Sequence, residues 1–281
     1  MGEGTALCGS LSRKAGEGWG GGNRDQHMRI LLTNDDGINA PGLVVLEKIA
    51  RQLSDDVTIV APELDQSGVS HSFSLNDPLR LRKVRDHVFA VKGTPTDCVL
   101  MGVRHVLKDK KPDLILSGVN HGQNAAEDVT YSGTIAGAME GTLLGIPSIA
   151  LSQAYGSIGT RHSLRWDNAE VYGADLIRKI MAEGIPEGIV INVNFPDCEP
   201  ENMKGVAVCV QGRRVGAEVN IDERRDGRNN PYFWLALTRA DFKYEHGTDL
   251  EALANKKIAV TPLKLDLTDE PTLTKFAIAL M

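Results

Sequence analysis

The sequence predicts an α/β fold, a mostly parallel sheet flanked by helices, on three observations. Short apolar runs of strand length recur between longer segments whose apolar residues fall at helical spacing. The order strand, helix, strand repeats from residue 28 to about residue 195, and such a crossover makes its two strands parallel. Polar, glycine-bearing loops follow the apolar runs directly, and ligands bind outside the carboxyl ends of the strands in open parallel sheets. The expectation is a Rossmann-like core with a different texture beyond it.

Met28 to Thr33 is the first apolar run. Pro41 suits the first turn of a helix, and Leu43, Val44, Leu46, Ile49, Ala50 and Leu53 give that helix an apolar stripe. Val57 to Ala61 is the second strand, and Leu79 to Val91, turning at Asp86-His87, reads as a hairpin. Gly93-Thr94-Pro95-Thr96-Asp97 reads as a turn and cap for a helix over Cys98 to Leu107. Asp113 to Ser117 is a third buried strand, followed by a polar loop from Gly118 to Tyr131. Ser132-Gly133-Thr134 opens a helix running to about Leu144. Ile146–Leu151 and Ile189–Val193 are further strands, on either side of a long helix over Asn168 to Ala182.

From about Asn194 helix signals fade. Val206–Val210, Tyr232–Thr238 and Ile258–Thr261 read as strands, and Arg224 to Asn230 as the charged tip of a protruding hairpin. The expected organisation is a disordered extension over 1–27 and a folded domain over 28–281. The domain divides into an α/β core over about 28–195 and a β-rich extension over about 196–281. Residues 1–27 are glycine-rich and lack the apolar core of a signal peptide.

Composition narrows the function. With 31 basic and 37 acidic residues the net charge is −6, and there is no basic stripe, so a nucleic-acid polymer is not an expected partner. No apolar run approaches the roughly 18 residues of a membrane helix. Cys8, Cys98, Cys198 and Cys209 are scattered without CxxC spacing, which points to a reduced, cytoplasmic chain rather than a zinc or disulfide framework.

The chemistry gathers on three loops. Asn34 to Asn39 carries Asp35 and Asp36, Pro62 to Ser74 carries Ser67 and Ser70, and Gly118 to Tyr131 carries Asn120, His121 and Asn124. Asn34-Asp35-Asp36-Gly37 alone reads equally as an Asp-Gly turn that caps a helix or as half of a cation site. Two carboxylates with hydroxyl and amide oxygens suit Mg²⁺, Mn²⁺ or Ca²⁺ rather than zinc. The amides and hydroxyls of Ser132-Gly133-Thr134, at a helix start, suit a phosphate group. A hard metal beside an anion cradle points to phosphate esters.

NDDGINAPG, APELDQSGVSHS, GTPTDC, PDLILSGVNHGQN, DVTYSGTIAGAMEG, INVNFP and the late TPL closely resemble the SurE (survival protein E) family. The resemblance spans Met28 onward and is densest through Phe195. It implies a metal-dependent nucleotidase acting on nucleoside 5′- and 3′-monophosphates, with some members also acting on short polyphosphate. It implies one divalent cation per subunit held by Asp35, Asp36, Ser67 and Asn120. Asn124 and the Ser132–Thr134 segment would face the phosphate, and His121 is a further candidate to touch substrate, as proton donor to the leaving oxygen. It also implies a homodimer or homotetramer whose subunits exchange C-terminal segments. The chain departs from the family at Ala125-Ala126-Glu127-Asp128, where a Gly and two Asp are usual. Alanine disfavours a positive φ there.

The expected mechanism is water attack on phosphorus, assisted by the metal and by nearby amides and hydroxyls. The alternatives make Asp35 a general base, or a nucleophile forming an aspartyl-phosphate. Two rival readings are a non-catalytic metal- and nucleotide-binding stress protein and a haloacid-dehalogenase-like phosphatase. The latter needs a second Asp two positions after the nucleophile, and Gly37 follows Asp36. His71 is a weaker candidate than His121. Ser70 and Ser72 are expected as turn formers, Trp166 and Trp234 as core or interface anchors, and Arg213, Arg214 and Arg224–Arg228 as solvated or subunit-contact residues, one of which could reach a nucleotide phosphate.

Overall fold

The computed structural model describes residues 28–156, 165–214, 218–238 and 244–280. The expected disordered extension over 1–27, with Cys8, lies outside them.

A nine-stranded sheet forms the centre. Six strands run parallel in it: β1 (Ile30–Thr33), β2 (Val57–Pro62), β4 (Val88–Val91), β5 (Leu114–His121), β6 (Ser148–Gln153) and β7 (Ile189–Phe195). β3 (Leu81–Arg85) closes one edge antiparallel to β4, as the sequence hairpin requires. At the other edge β11 (Ile258–Lys264) pairs antiparallel with β7, and β8 (Val206–Val208) parallel with β11. The C-terminal part therefore extends the main sheet. β9 (Glu218–Arg225) and β10 (Pro231–Thr238) form the separate antiparallel hairpin expected from the charged tip.

Helices cover both faces. α1 (Pro41–Arg51) and α5 (Asp167–Glu183) pack together on one face, and α2 (Pro95–Met101) and α4 (Gly133–Leu143) on the other. Pro41 begins α1 as predicted, but the phase differs: Val45 is buried and Val44 is 53% exposed. With Gly42 against β5, 3.6-residue spacing puts 42, 45, 46 and 49 inward. A Cβ at Gly42 would stand 1.9 Å from the Val119 carbonyl oxygen, so this close helix–strand approach requires glycine.

Several expectations shift. The helix predicted over 98–107 is α-helical from Pro95, under a Thr94–Asp97 capping box, and turns π-helical over Gly102–Val106. The strand predicted over 113–117 continues to His121, so Asn120 and His121 sit on a strand end and not in a loop. The polar residues there read as loop. In fact the register shifts between Ser117 and Asn120, and Gly118 supplies a bulge at φ +139. Two helices beyond Asn194 have no counterpart in the expected pattern: α6 (Asp249–Ala254) and α7 (Glu270–Leu280). α6 has only six residues, too few to show periodicity, although the cap Thr248 receives the Glu251 amide.

No helix among the described residues is long and apolar enough to cross a membrane. Cys98, Cys198 and Cys209 are buried free thiols, so no described cysteine is committed to a disulfide.

Candidate active site

Asp35 and Asp36 leave the carboxyl end of β1, the central strand of the parallel set. Gly37 turns the chain at φ +98, and the Asn34 side-chain amide closes that turn on the Gly37 carbonyl at 2.9 Å. The second loop is bonded directly to the first, because the Gln66 amide donates to the Asp35 carbonyl at 2.8 Å. That bond sets Ser67 beside the carboxylates. Farther along, Ser70 takes φ +56 and donates its hydroxyl to the Thr130 carbonyl at 2.8 Å. Ser70 therefore staples two loops together as well as turning the chain.

The loops enclose a pocket of about 320 Å³ lined by Asp35, Asp36, Ser67, Asn120, His121, Asn124 and Ser132, with Asp65, Gln123, Asp128, Tyr131 and Tyr155 at its walls. A larger cavity, about 880 Å³, lies on the other side of Ser132 and is lined mainly by apolar side chains such as Met139, Leu143 and Leu263. It contains none of the carboxylates, so the smaller pocket is the one equipped for chemistry. His71 lines the larger cavity, where its Nε2 is 3.0 Å from Glu140.

Asp35 is buried and its pKa is pushed up to about 7, first by loss of water and then by the adjacent Asp36 charge. Thr134 works against that rise by donating its hydroxyl to Asp35 Oδ1. Among the described residues lining the pocket there is no Lys or Arg. Asp36 Oδ2 accepts from the His121 amide at 3.1 Å. Asn120 donates Nδ2 to the Gly122 carbonyl at 2.9 Å, so its amide oxygen is the end suited to a cation. The Ser67 hydroxyl donates to Asp65 Oδ1 at 2.6 Å, leaving oxygen lone pairs. Gln123 Oε1 is a buried acceptor in the pocket wall with no partner. No cluster of three or more His, Cys, Asp or Glu suited to a metal exists among the described residues. Any ion here would rest on two carboxylates completed by neutral oxygens, a donor set that fits a hard divalent cation.

The residues expected to meet phosphate separate into two groups. Ser132 lines the pocket and caps α4 by accepting the Ile135 amide at 3.1 Å. Gly133 and Thr134 stand behind it against Asp35. Thr134 is fully buried, and a Cβ on Gly133 would lie 2.8 Å from Asp35 Cβ. Their position supports the carboxylate and not the open cradle that the motif suggested, because Asp35 itself occupies the start of α4. Asn124 lies in the pocket wall, tied to Ser152 Oγ by its Nδ2 at 2.9 Å. His121 lines the pocket with its ring stacked on Tyr155, 5.7 Å between centroids, and Trp166 tilted at 6.2 Å.

Sequence reasoning passed over Asp65, Gln123, Asp128 and Tyr155. Asp65 had a readable signal, an Asp-x-Ser turn in which it receives both the amide and hydroxyl of Ser67. Tyr155 follows β6 and joins the site only through tertiary packing. Arg214 is not solvated as one expectation had it: its side chain is 13% exposed and bonds Asp128 within the chain at 2.6 and 2.9 Å.

Thr134→Val is expected to leave Asp35 Oδ1 without its buried donor and to destabilise the protein by about 1–3 kcal/mol. A urea melt with an unchanged slope and a lowered midpoint would show it.

The family model described as Survival protein SurE matches residues 30–218. A protein named 5′-nucleotidase SurE from Methylobacterium sp. (strain 4-46) is 69% identical over 253 residues, covering 90% of this chain and 100% of its own. Its namesake from Beijerinckia indica subsp. indica is 62% identical over 251 residues, covering 89% and 95%. The crystal structure of Sure protein from Aquifex aeolicus matches with a TM-score of 0.77 at 39% identity, covering 90% of this chain and 100% of that one. By sequence over most of its length and by its arrangement of strands and helices, this chain belongs to the SurE family.

Proposed function

We propose that this protein is a divalent-metal-dependent phosphatase that hydrolyses nucleoside 5′-monophosphates to nucleoside and phosphate. The observation that carries the reading is the Asp35–Asp36 pair at the carboxyl edge of the sheet, in a pocket that Ser67, Asn120, Asn124 and Ser132 also line. The names of the relatives from Methylobacterium and Beijerinckia supply the substrate class.

Asp35, Asp36, Ser67 and Asn120 would hold one cation, Mg²⁺, Mn²⁺ or Ca²⁺. When bound, that cation supplies charge neutralisation and lowers the pKa of a water. The chain's own groups do the rest. Thr134 and Gly133 fix Asp35, so the charge on which binding depends is placed before substrate arrives. Ser132 and Asn124 present hydroxyl and amide dipoles where negative charge develops on the phosphate. His121, held on Tyr155, stands in the pocket wall as the candidate proton donor to the leaving oxygen.

Acceptance of 3′-monophosphates and short polyphosphate extends the same reading, since the pocket recognises phosphate first. Pairing of subunits is supported by apolar surface in the C-terminal part. Leu273, Phe276 and Ile278 on α7 and Phe233, Trp234 and Leu235 on β10 are all more than half exposed. Free buried thiols support a reducing compartment, as the cytoplasm is.

A phosphate-release panel over nucleoside 5′- and 3′-monophosphates and polyphosphate, with and without chelator, tests the proposal. Release from 5′-monophosphates that stops on chelation and returns with Mn²⁺ or Mg²⁺ is the expected result. Tight nucleotide binding without release would favour the stress-protein reading instead.

A further inference from the structure

The segment that carries Asn124 into the pocket is held from two sides. Toward the sheet, the Asn124 amide donates to Asn194 Oδ1 at 2.7 Å, and its carbonyl accepts from Asn192 Nδ2 at 2.8 Å. Both partners lie on β7, inside the α/β core. The residues after Asn124 are held instead by the C-terminal part of the chain. The Ala126 amide donates to Asp249 Oδ2 at 2.9 Å, and its carbonyl accepts from Gln211 Nε2 at 2.9 Å. Glu127 accepts from the Arg214 amide at 2.9 Å. Asp128 receives both ends of the Arg214 guanidinium.

Ala126 is the residue that most needs holding. It sits at φ +54 with its side chain fully buried against Leu250, so this alanine holds a backbone conformation that is strained for a non-glycine residue. Asp249 is itself fully buried. Besides Ala126 it accepts the Gly212 amide at 2.8 Å and its neighbour Leu250 at 2.8 Å. A buried carboxylate taking three amides is a rigid anchor, because each amide left without it would be an unsatisfied buried donor. Arg214 to Asp128 is a bidentate pair at the rim of the pocket, and such a fork fixes direction as well as distance. Glu127 and Asp128 lead into the short helix α3 (Asp128–Tyr131) and so to Ser132.

We propose that Asp249 and Arg214 are positioning residues for phosphate-ester hydrolysis: by clamping Ala126 and Asp128 they set Asn124 and Ser132 at the phosphate end of the pocket. The proposal rests on the phosphatase reading above. It gives residues of the β-rich part, and Asp249 beyond the matched 30–218 span, a part in the reaction separate from any subunit contact. It also explains how the chain keeps the loop in shape with alanine where the family usually has glycine.

The test uses the full chain. Asp249→Asn is expected to lower kcat for a nucleoside 5′-monophosphate at least tenfold while KM and the Mn²⁺ dissociation constant change less than threefold. Adding Ala126→Gly should bring kcat back to within threefold of the starting protein, since glycine adopts φ +54 without the clamp. A purely structural role for Asp249 would move the unfolding midpoint but not separate kcat from KM in this way. Should Asp249→Asn fail to fold, the Arg214→Met and Asp128→Asn pair carries the test. Each single change should lower kcat, and the double variant should be no worse than the worse single. Folded Asp249→Asn with unchanged kcat, loss that Ala126→Gly does not recover, or additive Arg214 and Asp128 effects would each overturn the proposal. Absence of turnover in the unmodified protein would instead overturn the phosphatase reading, so the two failures are distinguishable.

Discussion

Replacing both Asp35 and Asp36 by Asn is expected to reduce phosphate release by roughly 10³-fold or more, since a cation's electrostatic help is worth several kcal/mol. The same change is expected to stabilise the chelated protein at high pH, and this opposite sign is the informative part. Asp35 titrates near 7 in the fold against 3.8 for an ordinary aspartate, because burial and then the Asp36 charge disfavour its ionised form. The fold thus binds that proton more tightly than the unfolded chain. Its stabilising share is fully present below about pH 4 and is lost as pH rises through about 7. Each unit of separation is worth about 1.4 kcal/mol, so the metal-free protein carries a penalty on the order of a few kcal/mol above pH 7. Asparagine carries none. Thermal melts in chelator should show the variant with the higher Tm at pH 8 and the difference shrinking toward pH 4. With Mn²⁺ present the order should reverse, because only the unmodified protein gains binding energy. An Asp35 in an ordinary capping turn would show neither the pH-dependent gap nor the reversal.

Gly133→Ala is expected to be nearly as damaging to activity with a single added methyl group. That methyl would stand 2.8 Å from Asp35 Cβ and 3.0 Å from Asp35 Oδ2. Asp35 Cβ is fixed to the backbone just past the end of β1 and cannot swing aside as the end of a long side chain could. Either α4 retreats or Asp35 turns. A displacement near 1 Å at a reacting site costs about 10²-fold in rate. Stability should fall far less, by about 1–3 kcal/mol for overpacking, partly offset by alanine's better helix propensity. Kinetics on protein shown folded by circular dichroism would expose the imbalance. Wild-type kcat in Gly133→Ala would mean that the contact between α4 and Asp35 does not set the site.

How much of this was legible in sequence follows from the range of each signal. Alternating apolar runs and helical stripes are local, and they mark the succession along the chain of β1, β2, β5, β6 and β7 with the flanking helices. The Asp35–Asp36 pair was legible as a candidate because two adjacent acids at a strand end are unusual without a positive partner. Its reading as more than a turn needed Ser67 and Asn120 from two other loops, and the family resemblance is what joined them. The β5 bulge was hidden because glycine and asparagine signal loops and strand irregularities alike. The phase of α1 turned on Gly42 meeting Val119, a contact between residues far apart in the chain. The Arg214 clamp was hidden for the same reason. A pair of arginines such as Arg213-Arg214 reads as surface until the fold brings Asp128 to one of them. The Ala125-Ala126 departure was the reverse case. The sequence showed that alanine would resist a positive φ, and the fold shows Ala126 holding φ +54 with Asp249 on its amide.

Mn²⁺ binding followed by electron paramagnetic resonance tests the central claim most directly, because it reads the ion itself and not turnover. Titrating the metal-free protein should show one Mn²⁺ bound per chain, and the Asp35→Asn plus Asp36→Asn variant, shown folded, should leave the free-ion signal undiminished. Equal Mn²⁺ binding by the two proteins would contradict the assignment of these carboxylates as the metal site.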